Sequence, residues 1–154
     1  MNYLRKFLLL LTLQLVASPL FACSQRPGDT PPTDRELFER AKAVFVAHVY
    51  RTEERFLPID ASERAYAIVE GDFRVIEVLK GIPSVDGNVK SLVFGPRNCA
   101  LVLLAGLDYI FFIQEGHELV FWPDGSQGIA NVQSTESKKF LEIFRQMATG
   151  TSEP

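Results

Sequence analysis

The amino-terminal residues of this chain differ too strongly from the rest to belong to the same fold. Arg5 and Lys6 precede an almost entirely apolar run over residues 7–16. A basic start and roughly ten apolar residues are typical of a secretory signal, whereas a membrane span needs about 20, which disfavours an uncleaved anchor. Cleavage after Ala22 would make Cys23 the first mature residue. The sequence therefore predicts a signal peptide (1–22), one folded domain (23–148) and a disordered tail (149–154).

The charges and the cysteines exclude several classes of function. The chain has 16 Lys and Arg against 19 Asp and Glu, a net charge of -3 that becomes about -5 without the signal peptide. Nucleic-acid binders usually carry a basic surplus, so no nucleic-acid partner is expected. Two cysteines and two histidines are few for a zinc site. A phosphate loop, a nucleophile elbow and an HExxH motif are missing, so we predict no enzyme, cofactor or metal of its own.

Cys23 has two interpretations. Two cysteines in an exported chain favour one disulfide bond. The run Leu20-Phe21-Ala22-Cys23 is also similar to a lipoprotein signal, in which Cys23 would carry lipid and Cys99 would be a lone thiol. Phe21 fits that signal poorly, so the disulfide is favoured and lipidation is the alternative.

The first half of the domain combines helix and strand signals. Thr33 and Glu36 have the spacing of a capping box, which predicts a helix over residues 34–42. Residues 43–50 are apolar on both sides, as in a strand covered on both faces. The polar residues 51–63 predict a loop, which is either a binding element or a mobile connection without a function of its own. Residues 66–80 predict a long strand with a bulge or a sharp coil at Gly71.

The second half continues as a β-meander. Turn residues at 81–88 separate the long strand from another at 89–94, and residues 109–114 and 117–122 predict a hairpin. Ser134 can cap a final helix, whose buried face would contain Phe140, Ile143, Phe144 and Met147. We therefore expect a mainly β fold, a small OB-like barrel with a helix near each end, or alternatively a two-sheet sandwich.

The remaining candidates for chemistry have simpler interpretations. His48 lies in a predicted strand and His117 beside a turn, so we interpret them as structural and solvated. A nucleophilic Cys99 paired with either histidine is disfavoured, because exported cysteines are usually oxidised. Tyr109, Phe121 and Trp122 predict either an aromatic ligand patch or ordinary core and surface positions.

Three collinear stretches resemble a known family. They are Cys23-Ser24 followed by Phe38 and residues 41–49, then residues 73–81 ending in Lys80-Gly81, and then Cys99-Ala100-Leu101 followed by residues 107–111. Together they resemble the amino-terminal domain of the tissue inhibitors of metalloproteinases, a netrin-like module with an OB-type barrel. The resemblance covers residues 23–147. Gln25 stands where vertebrate members have a second cysteine, as in reduced, bacterial-type relatives.

This resemblance implies a Cys23–Cys99 disulfide and a role for the mature amino terminus. In the family's inhibitors, the amine and carbonyl of the first cysteine chelate the zinc of the target protease, and the next side chain enters its specificity pocket. Cys23 and Ser24 occupy these positions. We thus expect a secreted or periplasmic, monomeric protein-interaction module with a protein partner. The resemblance implies that this partner is a zinc metalloprotease. The alternative is a cell-envelope lipoprotein with lipidated Cys23 and a ligand-binding or structural barrel head, the one case with a membrane partner.

Overall fold

The computed structural model describes residues 30–58, 65–95, 98–117 and 119–150. The predicted signal peptide, Cys23 and Ser24 lie outside these residues. In chain order the elements are helix α1 (Asp34–Arg40), strands β1 (Ala43–Pro58), β2 (Ala65–Lys80), β3 (Asp86–Leu92) and β4 (Leu107–Ile113), a 3-10 turn (Trp122–Asp124), strand β5 (Gln127–Ala130) and helix α2 (Thr135–Thr149). The fold is mainly β with a helix near each end, as predicted.

Both helices begin at the predicted capping residues. The Thr33 hydroxyl accepts a hydrogen bond from the Glu36 amide over 3.2 Å, and the Glu36 carboxylate accepts one from the Thr33 amide over 2.7 Å. Ser134 caps α2 by accepting from the Ser137 amide over 3.1 Å. α2 extends through Thr149, the first residue of the predicted tail. Short side-chain caps of this kind stabilise a helix by about 1 kcal/mol each.

The strands form one antiparallel sheet in the order β3-β2-β1-β4-β5. The first half of β1, residues 43–49, lies at its centre and is buried on both faces, as its apolar sequence predicted. On one face Phe45 belongs to the inner cluster, which comprises Ala43, Phe45, Ala47, Val49, Phe73, Val89, Leu101, Leu103, Tyr109, Phe111 and Val120. On the other face Val44 and Val46 pack beneath the two helices, with Phe38 of α1 and Phe144 of α2.

The buried face of α2 differs by one position from the prediction. Leu141 and Phe144 are buried and Phe140 and Met147 pack against them, whereas Ile143 is exposed. The apolar face of α2 that packs on the sheet therefore contains Leu141 and Phe144, which lie about one helical turn apart.

The predicted loop over residues 51–63 is wrong for its first eight residues. β1 continues to Pro58 and pairs with β2 as a two-stranded ribbon. Ion pairs between the strands compensate for the polar sequence: Arg55 meets Glu70 at 2.9 Å and Arg51 meets Asp72 at 3.6 Å. Opposite charges across a strand pair stabilise a ribbon that lacks apolar alternation.

The bulge predicted at Gly71 is not there. The register between β1 and β2 shifts at three places, where Leu79 and Ile76 of β2 and Tyr50 of β1 are the additional residues, while the pairing past Gly71 is continuous. A Cβ at Gly71 would lie 3.3 Å from Cγ1 of Val49 and 3.4 Å from Cδ1 of Leu103. Glycine at this position therefore permits close packing of the inner cluster.

The predicted hairpin between residues 109–114 and 117–122 is also wrong. β4 pairs with β5 instead, and residues 119–121 make two isolated bridges, from Leu119 to Lys90 in parallel and from Phe121 to Ala100 in antiparallel orientation. Gly125, at a φ of 98°, then reverses the chain towards β5. The five strands form an open sheet with β3 and β5 at its edges.

Candidate functional site

Of the three residues predicted to form the site, the structure describes Cys99. Among the described residues no cysteine is free. Cys99 follows a loop that is closed by the Asn98 side chain, which donates to the carbonyl of Val93 over 2.8 Å and accepts from the amide of Gly95 over 3.2 Å. Cys23 and Ser24 lie outside the described residues, so the pairing of Cys23 with Cys99 stays a prediction.

The segment that carries Cys99, residues 98–104, is fixed to the rest of the domain by its backbone and by its apolar side chains. We call it the Cys99 segment. The Trp122 amide donates to the Cys99 carbonyl over 3.3 Å, next to the bridge between Ala100 and Phe121. Leu101 and Leu103 are buried in the inner cluster. Cys99 therefore occupies a defined position on the surface.

Tyr109 fixes the far end of the Cys99 segment. Its hydroxyl donates to the Val102 carbonyl over 3.0 Å and accepts from the Leu104 amide over 2.8 Å. Its ring is buried and stacks on Phe111, with 5.5 Å between centroids and 10° between planes. Burial raises the pKa of the Tyr109 hydroxyl. Tyr109 is thus a core residue, and the interpretation that joined it to Phe121 and Trp122 in an aromatic patch is wrong.

The outward side of this region is apolar. Val102 and Leu104 alternate with the buried Leu101 and Leu103 and are exposed. Trp122, whose backbone amide donates a hydrogen bond to the Cys99 carbonyl, is 57% exposed. Exposed large apolar side chains beside a rigid segment are typical of protein contact surfaces.

His48 makes a structural pair with an aspartate that the sequence analysis did not single out. Its Nδ1 lies 2.8 Å from Oδ1 of Asp108, whose Oδ2 accepts from the Val132 amide over 3.0 Å. The pair links β1 and β4 to the chain that enters α2, in agreement with the structural role predicted for His48. His117 is exposed, as predicted. Within the described ranges, no group of three or more His, Cys, Asp or Glu is placed to hold a metal ion.

The ribbon of β1 and β2 replaces the predicted binding loop with a charged strand pair. Glu53 lies between Arg51 and Arg55, at 2.8 and 3.2 Å from their guanidinium groups. The hydrogen bond that Arg55 donates to Glu53 raises the pKa of Arg55 further above its ordinary value. Both arginines are paired, but the described ribbon also contains four acidic residues, Glu53, Glu54, Glu70 and Asp72, so it keeps a net negative charge.

Comparison with known proteins assigns no family to this arrangement. No protein-family model matches the chain, and no curated protein does. In the parts of the chain that the structure describes, no helix has both the length and the apolar character required to cross a membrane.

Sequence reasoning identified Cys99 and named Tyr109 and Trp122 as aromatic candidates. It missed the contacts by which these two residues fix the Cys99 segment, and it missed the exposed Val102 and Leu104. Val102 and Leu104 stand in a run of four aliphatic residues, and the alternation of buried with exposed positions along this run was the available signal. Tyr109 reaches the Cys99 segment from β4 and Trp122 reaches it from the 3-10 turn, so both contacts depend on the folded chain. No local pattern marks them.

Proposed function

We propose that this protein is an exported, non-enzymatic protein-interaction module that inhibits zinc metalloproteinases through Cys23 and Ser24. The observation that carries the proposal is the rigid, apolar setting of Cys99. The resemblance of three stretches to the tissue inhibitors of metalloproteinases supplies the class of partner. Both are needed, since an apolar surface by itself does not select a protease.

A disulfide to Cys99 would determine where the mature amino terminus lies. The Cα atoms of a disulfide are about 4.4–6.8 Å apart, so Cys23 would be held beside the Cys99 segment. Its free amine and carbonyl oxygen would then project from a fixed point. Because ordering a flexible segment reduces affinity, this tether would strengthen binding without adding a contact.

The chemistry of inhibition follows from the ligands that a catalytic zinc accepts. Such a zinc keeps a position open for water or substrate. The neutral amine and the carbonyl oxygen of Cys23 can fill open positions and displace the water that would attack the peptide bond. Ser24, the next residue, would enter the pocket that selects the substrate side chain, while Val102, Leu104 and Trp122 would become buried against the protease.

We propose in addition that the sheet curves towards an OB-type barrel. Two observations support this architecture. The Val120 amide donates to the Lys90 carbonyl of β3 over 2.8 Å, which joins the chain after β4 to the opposite edge of the sheet. The inner cluster also combines residues of β1, β2, β3 and β4 with Val120. A sheet that surrounds one apolar cluster is typical of small barrels.

The inhibitor proposal is tested at the amino terminus. The protein is isolated after natural processing and compared with a variant that carries one extra alanine before Cys23, using a panel of zinc metalloproteinases. We expect inhibition by the processed protein and a loss of at least about tenfold in the extended variant, because the extension moves the amine away from the metal. Equal inhibition by both proteins, or none by either, would contradict the zinc-chelating mechanism.

The alternative, a lipoprotein, is distinguished by the mass of the same processed protein. A diacylglyceryl group on Cys23 would overturn the inhibitor proposal, because lipidated Cys23 is anchored at the membrane. Alkylation of the unfolded, unreduced protein provides an independent check. Two alkylated cysteines would overturn the Cys23–Cys99 bridge, and none is expected.

A further inference from the structure

A groove separates the side of α2 from the end of β2. It has a volume of about 630 Å³, within the range of about 300–1,000 Å³ that is usual for ligand sites. β2 contributes Ile76 and Glu77 to its lining, and α2 contributes Lys138, Lys139, Glu142 and Arg145. The connection from β5 to α2 supplies the other lining residues. We call this region the α2 groove.

A bulge in β2 turns two successive residues towards the groove. Val46 pairs with Glu77, and the next residue, Ala47, pairs with Val75, so that Ile76 is the additional residue. Successive side chains of a regular strand point to opposite faces, whereas a bulge changes the direction of a side chain. Ile76 and Glu77 therefore both line the groove. The bulge thus presents an apolar side chain that is 47% exposed.

The acids of the groove are paired within the fold, whereas its lysines are not. Both carboxylate oxygens of Glu77 accept from Arg145 over 2.8 Å, and Glu142 lies 3.7 Å from Nη1 of the same guanidinium. Lys138 and Lys139 are exposed and form no ion pair with any residue that the structure describes. The groove thus carries two unpaired ammonium groups in a chain whose net charge is -3. Charge complementarity favours an anionic occupant.

The positions of the two lysines indicate the form of this anion. Lys138 and Lys139 are successive residues of a helix, and successive residues are rotated by about 100°, so their side chains diverge. A compact anion such as phosphate is poorly placed to contact both ammonium groups, whereas an extended chain with several carboxylates can contact each of them. The exposed Ile76 in the same groove can pack against an apolar side chain of that chain. A peptide combines both kinds of group.

We propose that the α2 groove binds an extended acidic peptide segment of a partner protein. Its carboxylates would contact Lys138 and Lys139, an apolar side chain would cover Ile76, and Arg145 would stay paired with Glu77. An acidic polysaccharide or inorganic phosphate would supply the charge but no side chain for Ile76. The proposal does not depend on the inhibitory role, since it uses neither Cys23 nor the Cys99 segment.

The test begins with an unbiased set of peptides. Processed protein, isolated from cells that express the full chain, is used to select binders from a phage-displayed library of random linear peptides. We expect enrichment of peptides that combine several carboxylates with an aliphatic or aromatic residue. A synthetic copy of the strongest binder should bind saturably, one per chain, by fluorescence anisotropy. Replacing its acidic residues by the corresponding amides should weaken binding by at least about tenfold.

Two matched pairs of variants assign the binding to this groove. Lys139→Gln should weaken binding of the selected peptide by about fivefold or more, whereas Lys42→Gln removes the same charge outside the groove and should change it by less than about twofold. Ile76→Ser should weaken binding several-fold, whereas Ile143→Ser, at a position of similar exposure outside the groove, should have no effect. All four side chains are exposed, so the variants should keep the thermal midpoint of the parent.

Several results would overturn the proposal. They are a selection that enriches no acidic peptides, a selected peptide that binds Lys139→Gln as tightly as the parent, and equal effects within either pair of variants. Displacement of the peptide by inorganic phosphate or by oligogalacturonate at the same concentration of charge would identify a site for anions in general and would likewise overturn it.

Discussion

The hydroxyl of Tyr109 accepts a hydrogen bond from the backbone amide of Leu104 over 2.8 Å, from within the inner cluster. The same hydroxyl donates to the Val102 carbonyl. One buried side chain thus satisfies two backbone groups of the Cys99 segment, which has no regular strand pairing at these residues. The position of the proposed interaction surface depends on this tyrosine.

Tyr109→Phe should destabilise the protein by about 1–3 kcal/mol, because it removes two hydrogen bonds to partly buried backbone groups. Denaturant unfolding measures the loss, and hydrogen exchange should accelerate at Leu104. Tyr50→Phe is the control, since the Tyr50 side chain is half exposed; its effect should stay within about 0.5 kcal/mol. Equal effects of the two variants would contradict the anchoring role.

The pH dependence of stability should show the contribution of the Tyr109 hydroxyl. Burial raises the pKa of Tyr109 above its ordinary value of 10.0, so the folded state holds the proton more tightly than the unfolded state. This contribution is complete below the unfolded pKa and is lost as the pH rises towards the folded value. We expect the parent to lose stability above about pH 10 more steeply than Tyr109→Phe, measured by denaturant unfolding at several pH values. Parallel curves would contradict the assignment.

Gly125 should tolerate alanine less well than Gly116 does. Both have positive φ, but a Cβ at Gly125 would lie 3.0 Å from Cγ of Phe112, whereas none of the atoms described lies within 4 Å of one at Gly116. Gly116→Ala should cost about 1 kcal/mol from the backbone alone. Gly125→Ala should cost about 2–4 kcal/mol, because the steric overlap adds to the same strain. Thermal or denaturant unfolding compares them, and similar losses would show that Phe112 moves aside.

Arg145 and Glu77 should be coupled energetically. Arg145 of α2 donates from Nε and from Nη2 to the two carboxylate oxygens of Glu77 in β2, each over 2.8 Å. The hydrogen bond to Glu77 raises the pKa of Arg145 further above its ordinary value, so the guanidinium keeps its charge. A double-mutant cycle of Glu77→Gln and Arg145→Gln should give a coupling of about 0.5–1 kcal/mol, reduced by partial exposure. A cycle that closes at zero would show that the pair is not stabilising.

Elements whose structure depends on neighbouring residues could be predicted from the sequence, whereas elements that depend on distant residues could not. The helix-capping residues and the apolar runs of β1 and β2 act over a few residues, so the sequence identifies both helices and three of the strands closely. The strand character of residues 51–58 depends on partners such as Glu70 and Asp72, which lie on another strand. β5 is four residues long, and Gly128 lets it approach the Tyr109 ring, where a Cβ would be 3.3 Å from Cε1. No periodicity marks such a strand.

The candidate sites follow the same division. Cys99 and the chemistry of an exported amino terminus can be inferred from residue types and the leader. The contact of His48 with Asp108 spans 60 positions. It requires the strand order before it can be seen, because the two residues meet only through the pairing of β1 with β4.

The ribbon formed by β1 and β2 has a consequence for solubility. β4 pairs with β1 as far as Val49, so that among the described strands only β2 accompanies β1 from Arg51 to Pro58. Such an edge offers free backbone groups to any extended chain, which makes it a potential site of aggregation. Arg51, Glu53 and Arg55 place alternating charges along it, and a second molecule that paired here would have to desolvate them. The polar residues 51–58, which the sequence analysis assigned to a loop, thus disfavour edge-to-edge association of two molecules.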